Sequence, residues 1–140
     1  MIRNRRQTSS QHKFRGILKN WAVPIGCGLI SIFLLKCVFF IGFVNSVSME
    51  LSIRENTFIF GTRLIGEPAR DDIVVFNHSG RLLIKRIYAA PGDRIINGSE
   101  IIDVPYSCYY MLGDNAEESV DSRYWEEPFV YKDNIVAKLF

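Results

Sequence analysis

Histidine and cysteine are scarce in this chain: of 140 residues, two are His (His12 and His78) and three are Cys (Cys27, Cys37 and Cys108). So few ligands do not make a metal constellation, which needs three or four at close spacing. Two histidines also leave little for a Ser–His–Asp site. Acidic residues are missing from the first 20 positions, which carry Arg3, Arg5, Arg6, Lys13, Arg15 and Lys19. From Asn45 onward the balance reverses, with ten Lys/Arg against fifteen Asp/Glu. The modest net charge of +2 thus conceals a basic tail joined to an acidic domain.

Between the two lies WAVPIGCGLISIFLLKCVFFIGFV, Trp21 to Val44, interrupted by one charge at Lys36. A run this long and apolar predicts a membrane span. The basic flank predicts a single pass across the cytoplasmic membrane, with the N-terminus in the cytoplasm and the following domain outside. A cleavable targeting peptide begins the same way, but this apolar stretch is long for one and no small-x-small site closes it. A charge in mid-span is costly, so Lys36 reads as a snorkelling residue at the outer interface. The expected organisation is a basic tail over 1–17, a transmembrane helix over 18–37 and an outer domain over 38–140. Within this, the helix proper runs from about Leu18 to Leu35. The segment CVFFIGFV suits a strand by its aromatic and β-branched content, although a helix continuing to Val44 is the alternative.

Cys27 and Cys37 fall in or beside the span and Cys108 stands alone beyond it. No disulfide within the outer domain follows, so that domain must stand on its own core, with Cys108 as buried filler. The chain there reads TFIFGTRLI, DDIVVFNHS, RLLIKRIYA and YSCYYMLGD, all β-rich runs bounded by Gly, Pro, Asn or Asp. HSGR (His78–Arg81) and INGSE (Ile96–Glu100) read as hairpin turns, the second through its Asn-Gly pair. Helical periodicity and internal repeats are absent. The fold class is mainly β: one N-terminal transmembrane helix followed by a small all-β domain. Sequons at Asn77 and Asn97 coincide with turns, and turn chemistry accounts for them.

Three serines crowd NSVSMELS, Asn45 to Ser52, just after the apolar run. A nucleophilic serine needs a base. His12 lies on the wrong side of the membrane in this topology, and a solvated ring is the ordinary reading for His78 in its turn. Lysine remains, and Lys85 stands out because LLIKRIYAA surrounds it with apolar residues on a strand. A lysine amine ordinarily titrates near ~10.4. Burial disfavours its charged form, and the neutral amine can then take a hydroxyl proton.

SVSME, followed by RDDIVVF, IKRIYAAPGD and GDNAEESVDSRYW, resembles the bacterial type I signal peptidases (peptidase family S26) in order, spacing and content. The likeness spans Ser46 to Trp125. It implies a membrane-bound serine endopeptidase of signal-peptidase fold, with a Ser–Lys dyad, that removes signal peptides from exported preproteins at the outer face of the membrane. Matched position by position, the nucleophile falls on Ser48 and the general base on Lys85. Ser46 supplies a hydroxyl to the oxyanion hole beside the Ser48 N–H. Ser119 orients the lysine, Asp121 and Arg123 form a supporting ion pair, and Met49 is a core contact that positions the serine. Gly113, Asp114 and Asn115 read as turn and packing residues, and Ser52 has no role. No cofactor and no metal enter this chemistry. The implied partners are preproteins with signal peptides and the lipid bilayer, with the secretion translocon or sortase and pilin machinery beside them.

The chain departs from the family pattern at Leu51, where Pro commonly follows Met-Glu, and at Tyr88 and Ala89 after Lys-Arg. Ala116 replaces an Arg after Gly-Asp-Asn, and Glu126 stands where Gly often follows Trp. None of these touches Ser48 or Lys85, so they bear on substrate preference. The short interval from Lys85 to Gly113 marks a compact form. A second reading, from another class, is a signal-peptidase-like factor dedicated to pilin processing, or a scaffold for pilus assembly beside sortases. An intact dyad argues against a scaffold.

Overall fold

The computed structural model describes the backbone of residues 7–98 and 100–140, and side chains from Trp21 onward apart from Ser99. Arg3, Arg5 and Arg6 of the basic tail, the side chains of His12, Lys13, Arg15 and Lys19, and Ser99 of the second sequon lie outside the described residues. The chain divides into two units, Met1–Cys37 and Val38–Phe140. The first is carried by one helix, α1, Gln7–Val38. Its stretch Trp21–Val38 has a mean hydropathy of 1.9 and buries nothing against the protein, so it is long and apolar enough to cross a membrane.

The helix is longer than the span expected over 18–37. Among the described residues it runs from Gln7, with Pro24 inside it. It also continues past Lys36 to Val38, and only then does the backbone extend into the strand β1, Phe39–Phe43.

The second unit is built on one antiparallel sheet. Its strands are β1, β2 (Phe58–Thr62), β3 (Ile73–His78), β4 (Arg81–Ala89), β7 (Cys108–Leu112), β8 (Phe129–Tyr131) and β9 (Ile135–Leu139). Their order across the sheet is β1-β2-β9-β3-β4-β7-β8, and β5 (Arg94–Asn97) with β6 (Glu100–Asp103) makes a separate hairpin. The central strand β3 is buried on both faces, as a near-continuous apolar run requires. Val74 and Phe76 enter a core with Ile87, Tyr109, Met111 and Val130, while Val75 points the other way, toward Phe40, Ile59 and Ala137.

Local chemistry sets the connections. In the β3–β4 turn, Ser79 and Gly80 have φ of 50° and 78°, the two positive values that a type I′ hairpin needs. In the β5–β6 hairpin Asn97 pairs with Glu100 as the last residue of its strand, and Gly98 follows it in the turn with φ 64°. A Cβ at Gly61 would overlap the Lys138 carbonyl, which is why glycine stands where β2 and β9 meet.

The sheet ends on β1 at one side and on β8 at the other, and β7 pairs with β4 only from Arg86 onward, leaving residues 82–85 of β4 bonded on the β3 side alone. Phe76 is fully buried whereas Phe60 is 58% exposed, which separates their contributions to stability. In urea unfolding of the detergent-solubilised chain, Phe76→Ala is expected to cost about 3–5 kcal/mol. Phe60→Ala is expected to cost under ~1 kcal/mol.

Candidate active site

The backbone leaving β1 turns at Val44–Asn45 and enters one turn of 3-10 helix, Val47–Met49. Ser46 caps it in extended conformation (φ −139°, ψ 143°), its hydroxyl oxygen accepting the Ser48 N–H at 3.4 Å. Met49 is buried beneath the turn, and its carbonyl accepts the N–H groups of Ser52 and Ile53 at 2.9 and 2.6 Å. Ser48 is thereby held on a short, anchored turn, itself nearly buried.

The far side of that turn is gripped by the Gly113–Asn115 loop. The Asn115 N–H donates to the Ser48 carbonyl at 3.0 Å, and Asn115 Nδ2 donates to the Val47 carbonyl at 3.2 Å. Gly113 makes this approach possible, because a Cβ there would lie 2.7 Å from the Ser48 carbonyl oxygen and would overlap the Ser119 side chain. Asp114 accepts from Arg86 Nε and Nη2 at 2.8 and 2.7 Å, and Arg86 Nη2 also donates to Ser52 Oγ at 3.0 Å. The sequence reading gave these three residues a packing role and Ser52 none. Instead they tie the serine turn to the strand of the lysine. The available signal was Arg86, a second cation directly after Lys85, which the resemblance absorbed into a motif without asking what it bonds.

Lys85 sits on β4 between Leu83 and Ile87 on the same face, both packed on the main core. Alternation therefore carries its amine inward, and the residue is 3% exposed. Nζ donates to Ser119 Oγ at 2.8 Å, and the Ser119 hydroxyl donates to Asp121 Oδ2 at 2.7 Å. An ionised carboxylate only accepts, so the single Ser119 proton is committed to Asp121. Ser119 then meets the lysine as an acceptor, which fixes the amine's orientation.

Asp121 is fully buried and well bonded: Oδ2 also accepts the Gly113 N–H at 2.9 Å and Arg123 Nη2 at 2.8 Å, and Oδ1 accepts Arg123 Nε at 2.8 Å. Ser122 is pinned to β7 by exchange with Met111, its N–H donating to the Met111 carbonyl at 3.1 Å and its Oγ accepting the Met111 N–H at 2.9 Å. Burial works against the Asp121 charge, but the bonds from Arg123, Gly113 and Ser119 outweigh it and hold the carboxyl below its ordinary value. For Lys85 burial wins. It lowers the amine's pKa against the attraction of Asp121 and Asp114, with Arg123 adding to the lowering.

Ser46, Ser48, Met49 and Lys85 line one cavity of about 530 Å³, together with Phe40–Phe43 of β1, Val44 just after it and Leu82–Ile84 of β4. Ser48 and Lys85 share its wall without a direct hydrogen bond, the described bond of Nζ going to Ser119. Ser119, Asp121 and Arg123 stand behind the lysine.

His78 departs from the solvated ring expected of a hairpin end. Its imidazole stacks on the Trp125 indole at 4.0 Å and 21°, because the hairpin ends beneath the loop that follows Arg123. Cys108 is buried in a satellite core with Ala89, Ile95 and Tyr110, and burial raises its thiol pKa, which keeps it protonated.

The sequence as a whole is similar to those of known proteins. The family model described as "Signal peptidase, peptidase S26" matches residues 18–103 and 96–140. The chain is 28% identical over 132 residues to the probable signal peptidase I-2 of Synechocystis sp., covering 70% of this chain and 60% of that protein. It is 26% identical over 157 residues to signal peptidase I of Pseudomonas fluorescens, covering 61% and 55% respectively. It is 29% identical over 149 residues to signal peptidase I S of Bacillus subtilis, covering 79% and 80%. The chain thus spans three fifths or less of the Synechocystis and Pseudomonas proteins. With the family model covering nearly everything after residue 17, the chain belongs to the signal peptidase family, peptidase S26.

Proposed function

We propose that this protein is a membrane-anchored serine endopeptidase that removes signal peptides from exported preproteins, with Ser48 as nucleophile and Lys85 as general base. One observation carries the reading: a buried lysine, oriented by Ser119 and Asp121, lines the same cavity as a serine fixed on a tight turn. In the reaction, neutral Lys85 Nζ takes the Ser48 proton as Oγ attacks the scissile carbonyl. The Ser48 N–H and Ser46 hydroxyl receive the oxyanion. At rest these two groups hold each other in a long 3.4 Å bond, weak enough to give way to a developing negative charge. Protonated Lys85 then donates to the leaving amine, and water releases the acyl group. The Asp121 carboxylate behind Ser119 favours that transient ammonium, while burial, with a smaller contribution from Arg123, keeps the amine's pKa lowered against that attraction.

The substrate enters as an extended strand. The open edge of β1 and the unpaired part of β4 both line the cavity, and each offers backbone groups for β-augmentation. Ile41, Phe43, Phe58 and Phe60 of β1 and β2 are exposed, an apolar surface that supports a working position against the bilayer, with the N-terminus of the chain in the cytoplasm and the catalytic unit outside. Anchoring enzyme and substrate in one membrane raises their effective concentration.

Detergent-solubilised protein incubated with a preprotein is expected to release a product whose N-terminal sequencing reads a single site. Ser48→Ala and Lys85→Ala are each expected to lower the rate by at least ~10⁴-fold with the fold retained by circular dichroism. Processing by either variant at the wild-type rate would remove the dyad. Absence of any product from folded wild-type protein would favour the assembly-factor reading.

The catalytic form of Lys85 is the neutral one, so activity falls as pH drops through its lowered pKa. Arg123→Ala removes a positive neighbour and raises that pKa, so the acidic limb of the kcat/KM profile is expected to move to higher pH. A limb that stays in place would show that Arg123 does not act on the lysine. Ser119→Ala, which frees the amine from its orienting acceptor, is expected to cost about 10²-fold in kcat.

A further inference from the structure

We propose that Glu118 selects substrates that carry a Lys or Arg side chain within a few residues of the scissile bond. The inference rests on the reading of the cavity as a peptidase cleft. Most of the cavity wall is apolar, from Phe40 and Ile41 through Leu82 and Ile84 to Val120, and only two side chains on it ionise, Lys85 and Glu118. Lys85 is buried, bonded to Ser119 and neutral when it acts as base. The Glu118 carboxylate is then the one full charge facing a bound peptide.

Its setting differs from that of the other acids around the site. Asp114 is paired with Arg86, Asp121 with Arg123, and Asp72 with Lys138 at 2.8 Å. Glu118 is exposed and makes no ion pair among the described residues. The backbone explains why it faces the cleft. Ser119 is turned inward by its bonds to Lys85 and Asp121, and its neighbours Glu118 and Val120 both line the cavity on either side of it.

An anion beside low-dielectric walls concentrates its field in the cleft, and the effect on a bound peptide is larger than on an open surface. A cationic side chain gains an ion pair, and an anionic one meets repulsion. Discrimination therefore comes from both the favoured and the rejected partner. Each exposed pair gives only a few-fold, so attraction and repulsion together predict at least about a fivefold difference between Lys and Glu.

The test uses the full chain in detergent with Ser48→Ala, so that binding is read without hydrolysis. Fluorescently labelled peptides with a single cleavage site carry Lys, Ala or Glu at successive positions on either side of that site. At one or more positions the Lys peptide is expected to bind at least about fivefold more tightly than the Glu peptide at low salt, the ratio shrinking as salt rises. Adding Glu118→Gln is expected to remove the ratio. Glu117→Gln, the same charge change at an exposed neighbour off the cavity wall, is expected to keep it. Equal binding at every position, a ratio that survives Glu118→Gln, or one lost equally in Glu117→Gln would overturn the proposal. Cleavage of the Ala peptide by the unsubstituted chain is scored separately. Cleavage without charge discrimination refutes the role of Glu118 alone. Discrimination without cleavage refutes the peptidase reading and leaves Glu118 as the recognition residue of a binding cleft.

Discussion

A lysine placed inside a protein next to a carboxylate would ordinarily become half of an ion pair, and as an ion pair it could not accept a proton. The architecture around Lys85 prevents this through one inserted hydroxyl. Ser119 stands between Nζ and Asp121, so the lysine donates to a neutral oxygen, and the carboxylate is taken up by Arg123, Ser119 and the Gly113 N–H. A charged hydrogen bond contributes about 1.5–3 kcal/mol, so several of them suffice to keep Asp121 ionised in the interior. The attraction left over for the lysine loses to its desolvation. The Asp121 carboxylate is buried while Arg123 stays partly exposed, so removing Arg123 leaves a buried charge short of a partner and ties the order of the loop to the surroundings of Lys85.

The same loop sets the serine. Gly113, Asp114 and Asn115 reach in one direction to the Ser48 carbonyl and in the other to Arg86, the residue after Lys85. Ser48 and Lys85 are thus referred to a common piece of backbone, although 37 positions separate them in the chain. A glycine at the point of closest approach is a steric requirement, since any side chain at 113 would displace either Ser119 or the serine turn. The central strand β3, buried on both faces, and its partner β4 supply the support on which these loops rest.

Much of this was legible in the chain. The runs that became β2, β3, β4 and β7 announced themselves by β-branched and aromatic residues between turn signals. Lys85 was visible as a cation flanked by apolar positions on one strand face. β8 escaped because three residues carry no period. The place of β9 between β2 and β3 could not be read because it is a pairing between distant segments, which no local pattern encodes. The same limit hid the roles of Asn115, Asp114 and Ser52, whose partners lie 28 to 68 positions away in Arg86 and Val47. His78 looked solvated because the sequence names its turn and not the indole that covers it.

The central claim is that burial lowers the pKa of Lys85, with Ser119 rather than a carboxylate as its hydrogen-bond partner. An NMR titration of the full chain in detergent with isotopically labelled lysine side chains, assigned by loss of the signal in Lys85→Ala, reads this directly. The account predicts a midpoint for Lys85 below the ordinary lysine value and below that of Lys132, which an ion pair with Glu67 raises. A Lys85 midpoint at or above the ordinary lysine value would contradict it.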